Sequence, residues 1–212
     1  MSNPVMIIGV ASIGKVAMEI FQSNKVLIYG FLDDNKKLHG TTIDDITVLG
    51  KTDEKKYLSI LGDKCDVFVA IDDNLLKAGI TKNLVKNHGV MPVNAIHKSA
   101  IISKTAIIHH GNLINHNTIL GAFSEIGNHC ILNSGVIIDH EVKLGDYVQI
   151  GSGSIISAGV EIGDGAFIGS GVTIVSGVKI GKGARVGAGS VVISDVKDRQ
   201  TVFGNPAKPI EQ

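Results

Sequence analysis

Three short stretches of this chain carry groups whose types and spacing could do chemistry. The first is the turn Gly9-Val10-Ala11-Ser12-Ile13-Gly14-Lys15, which follows the apolar run Val5 to Ile8. A strand ending in such a turn and leading into a helix offers backbone N–H groups to a phosphate. The spacing is not the full dinucleotide fingerprint, so a plain tight turn explains it as well. The second is Asp33-Asp34, at the end of a second run from Val26 to Leu32. These carboxylates could accept hydrogen bonds from a ribose or a uracil, or form a solvated turn before Asn35. The third is His140-Glu141, and the periodicity around it says where this pair must stand.

Stepping by six from Ile96 through Ile102, Ile108 and Ile114 to Val186 and Val192, every position is aliphatic, without a slip in register. Four residues after each stands a residue that is nearly always small or β-branched, such as Ala100, Cys130, Val136, Ser154 and Val172, and Gly often follows directly, as at Gly127, Gly151 and Gly169. A period of six matches neither a helix nor a hairpin sheet and marks a parallel β-helix. Three hexapeptides make one coil of about 18 residues, and coils stack at about 4.8 Å. His140 and Glu141 are the third and fourth residues of their hexapeptide, which puts them at a corner of the prism. Steps of 18 along that corner read Ala122, His140, Ala158 and Ser176, beside Phe123, Glu141, Gly159 and Gly177. Another corner reads His116, Ser134, Ser152, Ser170 and Ala188, and the last reads His110, Asn128, Asp146, Asp164 and Lys182. Two corners are therefore small and one is polar. Small corners permit close approach by another chain or a thin ligand; they also simply suit tight turns.

The first ninety residues have a different rhythm. Val5 to Ile8 predicts a strand, and Lys15, Ala17, Met18, Ile20 and Phe21 a helix. A strand ending at Leu32, one over 46–49, a helix over about 53–61, a strand over 67–71 and a helix over 74–87 follow. Strands alternating with helices imply a small parallel sheet with covering helices. Residues 90–95, with Pro92, cross into the prism. The fold class is thus an α/β N-terminal domain, small and Rossmann-like, over 1–92, then a parallel β-helix of hexapeptide repeats over 93–198 and a tail over 199–212.

Composition excludes several classes. The 212 residues hold 20 Lys+Arg against 20 Asp+Glu and no Trp, so there is no electrostatic footprint for nucleic acid. No basic leader and no 18-residue apolar run is present, which predicts neither a signal peptide nor a membrane span. Cys65 and Cys130 read as buried thiols of a cytoplasmic protein. His97, His109, His110, His116 and His129 are scattered through the early coils, and no two histidines stand five apart as a carbonic-anhydrase-like zinc site on this fold would need. No metal is expected.

The whole layout resembles the bacterial sugar acetyltransferases that act on UDP-linked 4-amino sugars or perosamine, and the related sialic acid O-acetyltransferases. The resemblance is carried by Gly30-Phe31-Leu32-Asp33-Asp34, by Ile131 to Gly135 leading to Ile138-Asp139-His140-Glu141, by Leu144 to Val148, and by Gly204-Asn205-Pro206-Ala207-Lys208. It implies a left-handed β-helix, assembly as a homotrimer and acetyl-CoA bound between neighbouring prisms. The nucleotide sugar would bind the N-terminal domain at Gly9, Ser12, Ile13, Gly14, Asp33 and Asp34. His140 would be the general base and Glu141 its orienting partner. Asn133 would touch substrate, or else form an asparagine ladder with Asn115 one coil below. Gln149, Gly151, Ser170 and Ala188 would line the pantetheine groove, and Lys179, Lys182, Arg185 and Lys208 could meet CoA phosphates. Ile13 stands where the family usually has His, and Gln149 where a second His is usual. The reading is acetyl transfer to a nucleotide-linked amino sugar in surface glycan biosynthesis, with sugar O-acetylation or a non-catalytic trimeric scaffold as alternatives.

Overall fold

The computed structural model describes residues 3–210. They divide into a compact unit ending at Ala95 and a second beginning at Ile96.

In the first unit, β1 (Val5–Ile8) is an inner strand of a five-stranded sheet and is buried throughout. It pairs in parallel with β2 (Ile28–Leu32) on one side. On the other side it pairs in parallel with the strand Asp66–Val69. Burial on both faces is why β1 reads as an unbroken apolar run. The helix α1 (Ser12–Ser23) covers the sheet with Ala17, Met18, Ile20 and Phe21, and Phe21 meets Phe68 edge to face at 5.8 Å. The short strand β3 (Thr42–Ile43) was not anticipated; it forms an antiparallel hairpin with β4 (Ile46–Gly50), which in turn pairs in parallel with β2. Its two-residue turn is Asp44-Asp45, both at positive φ (45° and 66°), so the usual Asn-Gly signal is missing. The helix expected over 53–61 is only Lys55–Leu58, here α2, before β5 (Asp66–Val69). Finally α3 (Asn74–His88) starts at Asp73, whose carboxylate accepts from Leu76 N–H at 2.8 Å, and stops at left-handed Gly89. With β2 and β5 on opposite sides of β1, the strand order reverses at β1, and a crevice opens at the carboxyl ends.

The second unit is a stack of two-residue parallel strands on three faces. Each strand pairs with the one 18 residues on, so Leu132 lies against Ile150 and Ile150 against Ile168 on the first face. The inward aliphatic and small positions from Ile114 to Val202 form one continuous core, none of it more than 5% exposed. The outward rows differ by face. The first reads Leu113, Ile131, Gln149, Phe167 and Arg185. The second is aliphatic from Ile101 through Ile119, Ile137 and Ile155, then Thr173 and Val191. On the third, Ile107 is followed by Glu125, Lys143, Glu161 and Lys179 in alternation. The hairpin Thr201–Gly204 with Ala207–Pro209 extends the first face. Both cysteines are free and buried, as expected, and burial pushes the Cys65 thiol up to about 11.

Candidate functional site

The crevice of the first unit holds a cleft of about 280 Å³, lined by residues from the end of every parallel strand. Gly9 and Ala11 follow β1, Asp33 and Asp34 follow β2, Thr52 follows β4, and Ala70, Ile71 and Asp72 follow β5; Leu76 and Ile80 of α3 close one wall. Ser12, Ile13 and Gly14 do not line it. Gly9 and Gly14 are glycines for packing reasons: a Cβ on Gly14 would stand 2.1 Å from the Gly9 carbonyl oxygen, and one on Gly9 2.6 Å from that of Ala70. The Val10 N–H is turned into the protein, donating to Asp33 Oδ2 at 3.0 Å, while Asn35 N–H donates to Asp33 Oδ1 at 2.9 Å. Asp34 Oδ1 accepts from the Thr52 N–H at 3.1 Å and its hydroxyl at 3.0 Å. Each carboxylate is thus held rigidly by backbone donors and keeps lone pairs for further donors. Thr52, Asp72 and Leu76 were missed by sequence reasoning; their positions just past strand ends were the available signal.

In the second unit the corners are strictly in register. Glu141 N–H donates to the Ala122 carbonyl at 2.9 Å, and Gly159 N–H to that of His140 at 3.1 Å. The side chains of His140 and Glu141 are 56% and 68% exposed, with Nδ1 and Oε2 3.8 Å apart. Asp139 accepts the His140 backbone N–H at 2.7 Å. An exposed imidazole beside a carboxylate is able to take a proton from an approaching amine or hydroxyl.

The remaining predicted residues lie elsewhere on the prism. Asn133 opens the corner between the first and second faces and donates its Nδ2 to the Ile150 carbonyl at 3.1 Å, a coil-to-coil contact. Gln149 faces outward on the first face, and Gly151, Ser170 and Ala188 fall in the same corner as Asn133. A Cβ on Gly151 would stand 2.3 Å from Ser170 N, so a side chain there would require the neighbouring coil to shift. Within one chain this set and His140 flank opposite edges of the second face. The four basic residues also separate. Lys179 pairs with Glu161 at 3.4 Å and Lys182 with Asp164 at 2.9 Å around the third face. Arg185 instead stands over the Phe167 ring at 4.6 Å on the first face, in the sheet that also holds Lys208. The groove of about 640 Å³ on the third face is lined by those paired charges and reads as a solvated ladder. Among the described residues no group of three or more His, Cys, Asp or Glu is placed to hold a metal, and no helix is long and apolar enough to cross a membrane.

Comparison with known proteins ties these two units together. Residues 4–84 match the PglD N-terminal domain, and three overlapping windows from 123 to 194 match the bacterial transferase hexapeptide (six repeats). PerB from Caulobacter crescentus, solved with CoA and GDP-perosamine, is 31% identical over 100% of this chain and 99% of its own, with a TM-score of 0.88. The chain belongs to the hexapeptide-repeat sugar acetyltransferase family. Another structure of similar build in this family is the acetyltransferase domain of PglB from Neisseria gonorrhoeae, solved with acetyl coenzyme A, at 28% identity, 99% and 100% coverage and a TM-score of 0.89. WeeI from Acinetobacter baumannii follows at 25% identity, the same coverage and 0.78. As a member of the family, the chain combines its two hallmarks, a PglD-type first unit and a hexapeptide stack, over its whole length.

Proposed function

We propose that this chain is an acetyl-CoA-dependent N-acetyltransferase acting on a nucleotide-linked amino sugar, with His140 as the general base. The observation that carries this reading is the full-length likeness to an enzyme that binds CoA and GDP-perosamine, at 31% identity. The exposed His140-Glu141 corner supplies the chemistry it needs. The amine nitrogen attacks the thioester carbonyl carbon while His140 takes its proton, and Glu141 stabilises the imidazolium. As the tetrahedral intermediate collapses, the C–S bond breaks and the departing CoA thiolate is protonated by the same imidazolium. The product is an amide, and the base returns to its neutral form.

Two further parts of the reading rest on the prism. The residues suited to the pantetheine arm, Gln149, Gly151, Ser170 and Ala188, flank one edge of the second face and His140 the other, so one chain does not bring them together. A homotrimer does: with the second face turned toward a three-fold axis, the Ser/Gly corner of one subunit meets the His140 corner of the next. The aliphatic outward row on that face, with Ile101 64%, Ile119 36% and Ile155 41% exposed, supports this burial. The nucleotide is assigned to the cleft of the first unit, where Asp33 and Asp34 await N–H and O–H donors. Use of a nucleotide sugar and acetyl-CoA places the enzyme in the cytoplasm, supplying acetylated sugars for surface polysaccharide.

The test is thiol release from acetyl-CoA across UDP- and GDP-linked 4-amino sugars and free sialic acids, with His140→Ala alongside. Turnover on an amino sugar that falls about 10²–10⁴-fold in the variant is expected. Turnover confined to sialic acid would replace N- by O-acetylation, and turnover indifferent to His140→Ala would remove the base.

A further inference from the structure

From Gly111 to Gly189 the fourth residue of each hexapeptide takes a left-handed backbone at the corners, with glycine at nine positions and Asn117, Phe123, His129, Glu141 and Tyr147 at the other five. Along the His140 corner the succession is Phe123 (φ 58°), Glu141 (59°), Gly159 (67°) and Gly177 (74°). Two side chains therefore tolerate a conformation that disfavours them, one coil apart, where glycine serves the next two coils. Glu141 has its imidazole partner. Phe123 is 66% exposed, so packing within the chain does not account for it. Its backbone is held in place by a hydrogen bond from its N–H to Thr105 Oγ1 at 3.0 Å. It lies one coil below Glu141, because Glu141 N–H bonds the carbonyl of Ala122.

That position bears on the acceptor. An amine that gives its proton to His140 must come within about 3 Å of the ring. The pyranose bearing it then covers a neighbouring coil, since coils are only about 4.8 Å apart. On one side the corner offers Ala158 and Gly159, no more than a methyl group, in the direction of the small residues assigned above to the pantetheine arm. On the other side stands the aromatic ring. We propose that Phe123 is the platform for the acceptor sugar. Its face packs against the C–H face of the pyranose that carries the amine, burying apolar surface on both. It selects sugars lacking a hydroxyl there, such as deoxyamino sugars. This rests on the reading of His140 as the base.

The experiment is steady-state kinetics of wild type, Phe123→Ala, Phe123→Gly and Phe123→Tyr, with GDP-perosamine and a UDP-linked 4-amino-4,6-dideoxy sugar as acceptors. Phe123→Gly also relieves the backbone, so it guards against a folding defect. The expected result is an acceptor KM raised about tenfold or more in the Ala and Gly variants, with Tyr close to wild type and the KM for acetyl-CoA little moved. Affinity for GDP or UDP alone, measured by calorimetry, stays at the wild-type value, because the ring touches sugar and not nucleotide. An unchanged acceptor KM overturns the proposal. So does a rise confined to the KM for acetyl-CoA, or loss of assembly in sedimentation, which would make Phe123 a donor-side or subunit contact. If wild type shows no His140-dependent turnover, the base assignment fails first and the platform falls with it; normal wild-type turnover with unaltered variants sinks the platform alone.

Discussion

A histidine whose side chain is 56% exposed gains little stability by standing next to a still more exposed glutamate 3.8 Å away. On the proposed reading its value is chemical, and the partner's contribution is separable from that of the proposed base. Glu141→Gln keeps the shape and removes the charge that favours the imidazolium. The expected outcome is a kcat about ten- to a hundredfold lower with both KM values retained, because the lost interaction forms only as the proton moves. A rise in KM at constant kcat would instead make Glu141 a binding residue. The aspartates of the first unit behave differently at this scale. Asp33 and Asp34 are already bound to the Val10, Asn35 and Thr52 backbones, so they shape the cleft as well as line it.

At the scale of the element, the coil is the unit of stability, since each strand of two residues has no meaning without the strands 18 residues away. The corners satisfy their own polar groups by the same stacking. Asn128 N–H donates to Asp146 Oδ1 at 2.7 Å and Asp146 N–H to Asp164 Oδ1 at 3.2 Å, so the polar corner is a ladder of side chains capping the next turn. The first coil carries a pH-sensitive contact. The His97 ring is buried and stacks on His116 at 3.6 Å, and its Nδ1 accepts the Ser99 N–H at 3.1 Å. Burial, with the nearby His116 and Lys98 charges, holds its pKa below the ordinary histidine value. The folded state thus resists protonation where the unfolded chain accepts it. Stability is full above about pH 6.5 and declines as pH falls below it. Urea midpoints at pH 8 and pH 5.5 check this: His97→Asn should narrow the gap between them, and an equal gap in both proteins would sink the idea.

At the scale of the molecule, the three faces of the prism are not equivalent. One alternates Glu and Lys, one carries Gln149, Phe167 and Arg185, and one is aliphatic from coil to coil. An aliphatic row flanked by two small corners suits a second copy of the chain better than water. If the chain assembles as the proposed trimer, Ile155→Glu should dissociate it in sedimentation and abolish turnover, since His140 and the Ser/Gly corner would no longer meet. Ser170→Trp should raise the KM for acetyl-CoA or break the assembly, by filling the groove. A monomeric wild type with full activity would refute both.

Periodicity made the second unit legible residue by residue. Because a coil must pair with the next one, a single register of six places every inward side chain, every corner and the outward rows, and it put His140 and Glu141 at an exposed corner before any coordinates. The alternation of apolar runs with helical patterns likewise announced the parallel sheet. The rest depended on contacts that no period encodes. The Asp44-Asp45 hairpin lacks the usual turn residues, and α2 is a single turn where a longer helix was expected. Thr52, Asp72 and Leu76 enter the cleft only because strands distant in sequence end side by side. Lys179 and Lys182, near Arg185 in the chain, are carried to another face by the 18-residue turn of the coil and neutralised by Glu161 and Asp164. Local pattern determines a repeat because its long-range pairings are copies of one another; in the first unit each pairing is unique, and only the tertiary fold decides which residues meet.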